Sequence, residues 1–521
     1  MKKLIFLIAG GVMVAGTSCK KYLDINDNPN SATTGTPEVV LPQALVFTAS
    51  TMNTLNSYGS QLVGYAVNAG GYGGFGSSVT YNFGSSDYSG IWSNTFDNLN
   101  DYQYVINATD TIADYGMYNG AARIMKAFHY QMLVDTYNDV PYSDALKGTG
   151  SLTPKYDKAE AIYASLANQL DSGIASLKKA QASLDSDPNS NVKALKVNAG
   201  YDPLFKGDVK QWVRFANTIK LRLILRAGNK VAWKNPTFDA LGFLTSDAII
   251  QPTFIKDNGQ QNPAYDTWSY KYDGSAGNKA WITSIYALGF YNGKKISDEN
   301  RGTVMYQGYP NVAANQLGFE SNSVPSCPAG SVWLPSLGSG ALKGPNAGYP
   351  AMLAAESYFL QAEAVVRGII PGNAEALFNK GIEASYTFLY KKADNVTLVG
   401  DPVADAAAYH DENDNTDNYL VNFNLATTFD EQIEAIITQK YIALNFVNGA
   451  EAFNEYRRTH YPVTAGNSDA VNSFASTQST STRPDKLPTR VLYPSTEASN
   501  NSGNLPKGIN PNTSFIFWAL Q

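Results

Sequence analysis

A mainly α-helical fold follows from three features of the sequence. Apolar residues recur every three or four positions in segment after segment, those segments open and close on helix-capping residues, and strand signals are sparse. Between the helices lie long stretches rich in Gly, Asn, Ser, Pro and Tyr, at 231–285, 294–350, 392–427 and 462–521. Compact domains seldom keep loops of that length unless they serve binding. Helix pairs joined by short Gly/Pro turns are the ingredient of tetratricopeptide-like arrays, although no self-similarity at the usual period of about 34 residues is present.

The first element is an address. Lys2 and Lys3 precede an apolar run from Leu4 to Ala15, interrupted by Gly10 and Gly11. That run is about 12 residues long, whereas a bilayer takes about 20. Gly16, Thr17, Ser18 and Cys19 follow. The pattern predicts a lipoprotein signal peptide over 1–18, with Cys19 lipidated and first in the mature chain. An ordinary secretory signal cut near Ser18 is the alternative. No other apolar run reaches 18 residues, so the mature chain is expected to be anchored to a membrane without crossing it. Residues 19–36 are Asn/Asp-rich and carry Pro29, which reads as a tether to a single folded body over 37–521.

Within the body, helices are expected at 91–108 and 120–136, and then at 159–180, where Ile162, Leu166, Leu170, Ile174 and Leu177 form one stripe. Asp208 is a candidate N-cap for 208–226, whose stripe is Trp212, Phe215, Ile219 and Leu223. The Ala/Glu-rich segment 351–367 ends at Gly368, Asn373 opens a helix to about Tyr390, and Thr428 with Glu431 fits a capping box for a helix to about Phe446.

Several chemistries are excluded or weakened. The net charge is −6 and no basic tract stands out, so nucleic acid is not an expected partner. Three His and two Cys (Cys19 and Cys327) give no basis for a zinc site, and no cofactor or metal is expected. Gly71-Tyr72-Gly73-Gly74-Phe75-Gly76 matches a dinucleotide fingerprint by letter, but that motif needs a preceding strand and a following helix, neither of which is evident. A flexible loop displaying Tyr72 and Phe75 is the better reading. Asp411 to Asp417 has oxygens at calcium-like spacing, yet Thr416 and Asn422 stand where an EF-hand needs Gly and an acid, so a solvated acidic loop is expected. No nucleophile elbow, zincin or Walker motif occurs. Paired carboxylates of a glycosidase meet only in a fold, so a surface polysaccharide hydrolase stays as a lesser alternative.

Four segments in order resemble the SusD/RagB family, and its second large subgroup in particular. They are Gly207-Asp208 through Trp212, Phe215–Leu223 and Arg226; Ala355–Ala364 with Gly368; Gln439–Leu444 with Gly449, Glu451–Thr459 and Pro462; and Leu487–Arg490 with Tyr493, Pro494, Glu497 and Asn504. Phe453 stands where such proteins usually carry Trp. The resemblance implies a fold of four tetratricopeptide-like helix pairs with loops packed on one side. It implies a non-enzymatic, surface-exposed outer-membrane lipoprotein acting as a lid over a TonB-dependent transporter of the SusC/RagA type. The implied ligand is a glycan or an oligopeptide. Arg222 and Arg226 share a helix face and are expected to hold buried acids such as Glu356 or Glu363, as are Arg457 and Arg458.

Sugars offer a weakly polar CH face and hydroxyl edges, so rings interleaved with amides in loops are the candidates for contact. One such cluster is Tyr72, Phe75, Tyr81, Asn82 and Tyr88; a second is Trp268, Tyr270, Tyr272 and Trp281 beside Asp266 and Asp273; Trp333 stands in a Pro/Gly-rich loop. Trp92, at the head of a predicted helix, is expected in the core. A glycan is favoured over a peptide because of these aromatic-rich loops.

Overall fold

The computed structural model describes residues 35–187, 189–195, 201–414 and 418–521, so the signal segment, Cys19 and most of the tether fall outside them. The principal helices are α1 (Pro37–Leu62), α2 (Ser89–Thr109), α3 (Gly116–Tyr137), α4 (Ala159–Ser186) and α5 (Val209–Ala227), then α6 (Ala354–Val366), α7 (Ala374–Tyr390), α8 (Pro402–Asp414), α9 (Phe429–Ala443) and α10 (Gly449–Thr459). Successive helices pack on one another from α1 to α5 and from α6 to α8, with α5 also against α6. α9 lies on α6, and α10 returns to α1, joining the first and last of these helices. Among the described residues, no helix is long and apolar enough to cross a membrane.

The local chemistry explains these elements. In α4 the whole predicted stripe from Ile162 to Leu177 is buried, and in α5 so are Trp212, Phe215, Ile219 and Leu223. Asp208 caps α5 by accepting N–H bonds from Lys210 and Gln211 at 2.9 and 3.2 Å. Thr428 and Glu431 form a reciprocal capping box at the head of α9, and Asn373 caps α7. Gly120 of α3 faces Gly173 of α4 so closely that a methyl group on either would press on the other's carbonyl oxygen, which lets the two backbones approach.

Three helices lack the usual signature. α1 contains Pro42 and buries Thr48, Asn53 and Asn56 among its apolar residues, so its stripe is interrupted in the sequence. α8 occupies the stretch expected to be the loop 392–427, and the acidic run expected as a solvated loop is its last turn up to Asp414. Residues 415–417 of that run lie outside the described ones. α10 buries Glu451, Glu455, Arg457 and Arg458, the residue types that ordinarily mark a helix's outer face.

All of those inward charges except Arg457 join one ion-pair network. Arg222 reaches Glu356 at 3.0 Å, as expected, whereas Arg226 turns to Asp135 and Glu451, both at 2.5 Å. Lys440 joins Glu451 at 2.9 Å and Glu455 at 3.1 Å, and Arg458 holds Glu363 at 2.6 Å. Arg457 departs from the expectation: it donates to the carbonyls of Thr489 and Asp135 and stacks on Phe453, and burial pulls its pKa down to about 10. Burial opposes the Glu455 carboxylate, but Arg458, Lys440 and Arg226 outweigh it and hold its pKa well below the usual range.

Short strands tie the long loops down. They are β1 (Val67–Asn68), β2 (Val140–Pro141), β3 (Tyr156–Asp157), β4 (Ala248–Ile250), β5 (Trp281–Ser284), β6 (Ala314–Asn315) and β7 (Tyr349–Met352). β1 pairs antiparallel with β5 in the register Asn68 with Trp281, and β5 pairs parallel with β6. The glycine-rich run after β1 therefore does follow a strand and precede a short helix, Ser77–Thr80. Because β1 lies antiparallel to its neighbour, the unit is not the parallel βαβ crossover that a dinucleotide site requires.

Candidate ligand-binding cleft

The β1–β5 pairing is the base from which an open cleft is built. Ala69 continues the pairing by donating to the Ala280 carbonyl at 2.8 Å, and Gly70 donates to Pro325 at 2.8 Å. A side chain at position 70 would collide with the Val324 carbonyl, so only glycine allows this approach. The Asn68 side chain accepts the Gly318 N–H at 2.7 Å and donates to the Phe319 carbonyl at 2.9 Å. Asn315 donates to the carbonyls of Asn68 and Phe319, both at 3.0 Å. These bonds stitch 315–325 to the end of β1. An open cleft lies between them, lined by Asn68, Gly71, Tyr72, Glu320, Asn322 and Ser326 among others.

Tyr72 stands at this cleft with 46% of its surface exposed, and Phe319, next to Glu320, with 47%. Gly71 and Gly74 take positive φ with no neighbour near, which sends the chain out around Tyr72 and back. Phe75 returns to the body, its half-buried ring edge-on to Trp281 at 5.3 Å. A second exposed ring, Tyr272, sits at the tip of a small hairpin closed by the Tyr270–Ala276 bridge. Hydrogen bonds from Ser275 stabilise the Asp273 carboxylate there and lower its pKa, while Asp266 pairs with Lys271 at 2.6 Å. The Tyr270 ring packs over Gly330, joining the hairpin to the loop that carries Ser326.

The other expected contact residues have interior duties. Trp333 is fully buried and lies flat on Phe446 at 3.6 Å, and buried Trp268 meets both rings edge-on. The buried Tyr81 hydroxyl accepts the Ser476 N–H at 3.1 Å and so fixes the C-terminal loop. Tyr88 is half-buried between Tyr58 and Phe83, and its hydroxyl donates to Gln61 at 2.7 Å. Trp281 keeps 8% of its surface. Rings as enclosed as Trp268, Trp333, Tyr81 and Trp281 offer no face to a ligand, while half-buried Tyr88 has its hydroxyl committed to Gln61. Trp92 is buried among Phe96, Tyr137, Tyr156 and Tyr493, in line with its expected core role. Asn82 is exposed, outside the lining of the Tyr72 cleft, and its N–H donates to the Thr80 hydroxyl at 3.4 Å. Phe319 was not among the expected residues. Its signal was the same as theirs, an aromatic beside Asn and Ser in a loop, but isolated where the others cluster.

Among the described residues no group of three or more His, Cys, Asp or Glu is arranged around a common point for a metal ion. The fold and the cleft define a class: a helical scaffold that presents a binding surface on loops. Two family models match the chain: one described as "Starch-binding associating with outer membrane" over residues 29–249, and one described as "Susd and RagB outer membrane lipoprotein" over residues 342–511. The chain belongs to the SusD/RagB-like family of outer-membrane lipoproteins, which are nutrient-binding proteins and not catalysts. Solved structures agree in fold. A SusD homologue from Bacteroides fragilis is 20% identical with a TM-score of 0.65, over 94% of this chain and 100% of that one. A chitin-binding SusD homologue from Flavobacterium johnsoniae is 21% identical with a TM-score of 0.65, over 92% of this chain and 98% of that one. A SusD-like protein described as Bacteroidetes AC2a is 20% identical with a TM-score of 0.67, over 94% of this chain and 100% of that one. A search of curated proteins finds no match.

Proposed function

We propose that this protein binds a glycan at the Tyr72 cleft on the cell surface and passes it to a TonB-dependent barrel of the SusC/RagA type. The observation that carries the ligand class is the cleft itself. The exposed Tyr72 ring borders a space lined by the polar groups of Ser321, Asn322 and Ser326 with Glu320, and the exposed Phe319 ring is next to Glu320 in sequence. Rings stack on sugar CH faces while amides and hydroxyls bond the edges. The chitin-binding relative makes a glycan the first choice of probe. Lipidation at Cys19 would hold the protein at the membrane while the body swings over the barrel.

The ligand is tested by affinity electrophoresis and calorimetry on the full-length chain in detergent, against panels of glycans and oligopeptides. Saturable glycan binding that Tyr72→Ala weakens supports the reading. Binding to peptides alone overturns the glycan assignment, and steady release of reducing sugar overturns a pure binding role. The partner is tested by crosslinking the body to the barrel, which should abolish uptake; unchanged uptake overturns the lid.

A further inference from the structure

Resting on the reading that the Tyr72 cleft holds the glycan, we propose that Glu320 sets the charge preference of that cleft. It admits neutral and amino-bearing saccharides and turns away acidic ones.

The lining side chains are neutral at Asn68, Tyr72, Ser321, Asn322 and Ser326, and no Lys or Arg is among them; Glu320 brings the fixed charge. Many carboxylates of this protein have a cation: Asp266 has Lys271, Asp239 has Lys178, and Asp139 has Lys158. Glu320 is exposed and has no ion-pair partner among the described residues. Its backbone is held in place, because the adjacent Phe319 carbonyl accepts from both Asn68 and Asn315 and the Phe319 N–H donates to Gln316 at 3.1 Å. The Glu320 backbone is thereby fixed beside the cleft, and its uncommitted carboxylate is free to turn toward a ligand there. The carboxylate can accept two neighbouring hydroxyls of a neutral sugar, or a charge-assisted bond from an ammonium group. A uronate or sulfate in the same place meets a like charge with no Lys or Arg in the lining; Lys279, which acts on Cys327 beside Ser326, lies outside it. At a few ångströms that repulsion is worth roughly fivefold in affinity in bulk water, and more where protein walls displace solvent.

The test uses the full-length chain in detergent at pH 6 and three hexasaccharide probes: N-acetylglucosamine, glucosamine and galacturonic acid oligomers. Calorimetry is run on the wild type, Glu320→Gln, Tyr72→Ala and Asp411→Asn; the last removes one exposed negative charge on α8, away from the cleft. The wild type should bind the galacturonate worst. Glu320→Gln should improve galacturonate binding relative to the N-acetyl probe by roughly five- to tenfold and weaken the glucosamine oligomer by a similar factor. Asp411→Asn should leave these ratios alone, and added salt should shrink the Glu320 effect. Ratios unchanged in Glu320→Gln, or a wild type that prefers galacturonate, overturn the proposal. Should Tyr72→Ala weaken binding while Glu320→Gln leaves the ratios fixed, only the role of Glu320 fails. Binding indifferent to Tyr72→Ala, or silence with all three probes, overturns the cleft reading and this inference with it.

Discussion

Arg458 and Glu363 meet through two parallel contacts, Nη1 to Oε1 at 2.6 Å and Nη2 to Oε2 at 2.7 Å, across 95 residues of sequence. The pair joins α10 to α6 and is almost fully buried. A forked guanidinium on a carboxylate fixes direction as well as distance, so the contact sets how the two helices lie on each other.

Cutting one side of this pair takes one partner from a buried charge; Glu363 keeps Arg367 at 2.7 Å when Arg458 is lost. Glu363→Ala should cost about 2–3 kcal/mol in urea unfolding followed by circular dichroism. Arg458 also serves Glu455, with Nε to Oε2 at 3.0 Å, so it keeps one partner when Glu363 is lost. The double variant Glu363→Leu, Arg458→Leu should fall short of the sum of the single losses by roughly 1–3 kcal/mol. Strict additivity would show that the two residues are not coupled.

Trp333 tests the division between core and cleft. Its ring lies parallel to Phe446 with an angle of 6° and is shielded from solvent. Trp333→Ala should therefore destabilise by about 3–5 kcal/mol, with Trp333→Phe losing much less because it keeps the stack. Glycan affinity of the folded fraction should change by less than about twofold, since only truncation of ring contacts made to the ligand itself weakens binding further. A Trp333→Ala protein of normal stability that has lost its ligand would move this ring from the core to the site.

The same comparison shows which parts of the molecule can be read from sequence. Helices α4 and α5 were legible from their apolar stripes, and α5, α7 and α9 from their caps, Asp208, Asn373 and Thr428. α10 was not, because the groups it buries are charged, and their partners (Arg226, Glu363 and Lys440) are distant in sequence. The cleft was half legible. Tyr72 stands out between glycines in a loop, but Trp268 and Trp333 sit in loops of the same composition and are buried. Composition records that a ring is in a loop; only the path of that loop over the body decides whether the ring faces water.

His129 supplies a pH test. It is fully buried on α3, where Nδ1 lies 2.8 Å from the Met125 carbonyl and Nε2 3.2 Å from the Thr48 hydroxyl. A carbonyl only accepts, so Nδ1 carries the proton, and in the neutral ring Nε2 is the acceptor, facing a Thr48 hydroxyl that also lies near the Ala44 carbonyl, Asn98 and Tyr102. Burial lowers its pKa from 6.5 to about 4, against a smaller opposing effect of the Met125 bond. The unfolded chain then binds more protons than the folded one between these values. The contribution is fully present above pH 6.5 and is lost as pH falls toward 4, roughly 3 kcal/mol in all. Unfolding free energies measured across that window should drop in the wild type, and His129→Gln should lack that part of the slope. Parallel curves for the two proteins would show that the ring is charged in both states.

Tyr72 and Phe319 should behave in the opposite way to Trp333. Each leaves nearly half of its surface in water, so truncation removes little packing. Tyr72→Ala and Phe319→Ala should each change stability by less than about 0.5 kcal/mol. If the rings stack on a sugar, each truncation should weaken binding by about 1–3 kcal/mol, between about fivefold and 150-fold in Kd. The Phe319 carbonyl is bonded to Asn68 of the Tyr72 cleft and Glu320 follows it into the lining, so an extended ligand held at Tyr72 is expected to reach Phe319 as well. Losses in the double variant should then be less than additive, because releasing one end frees the ligand to leave the other. Full affinity in Phe319→Ala, with loss in Tyr72→Ala, would confine the ligand to the Tyr72 side of the cleft.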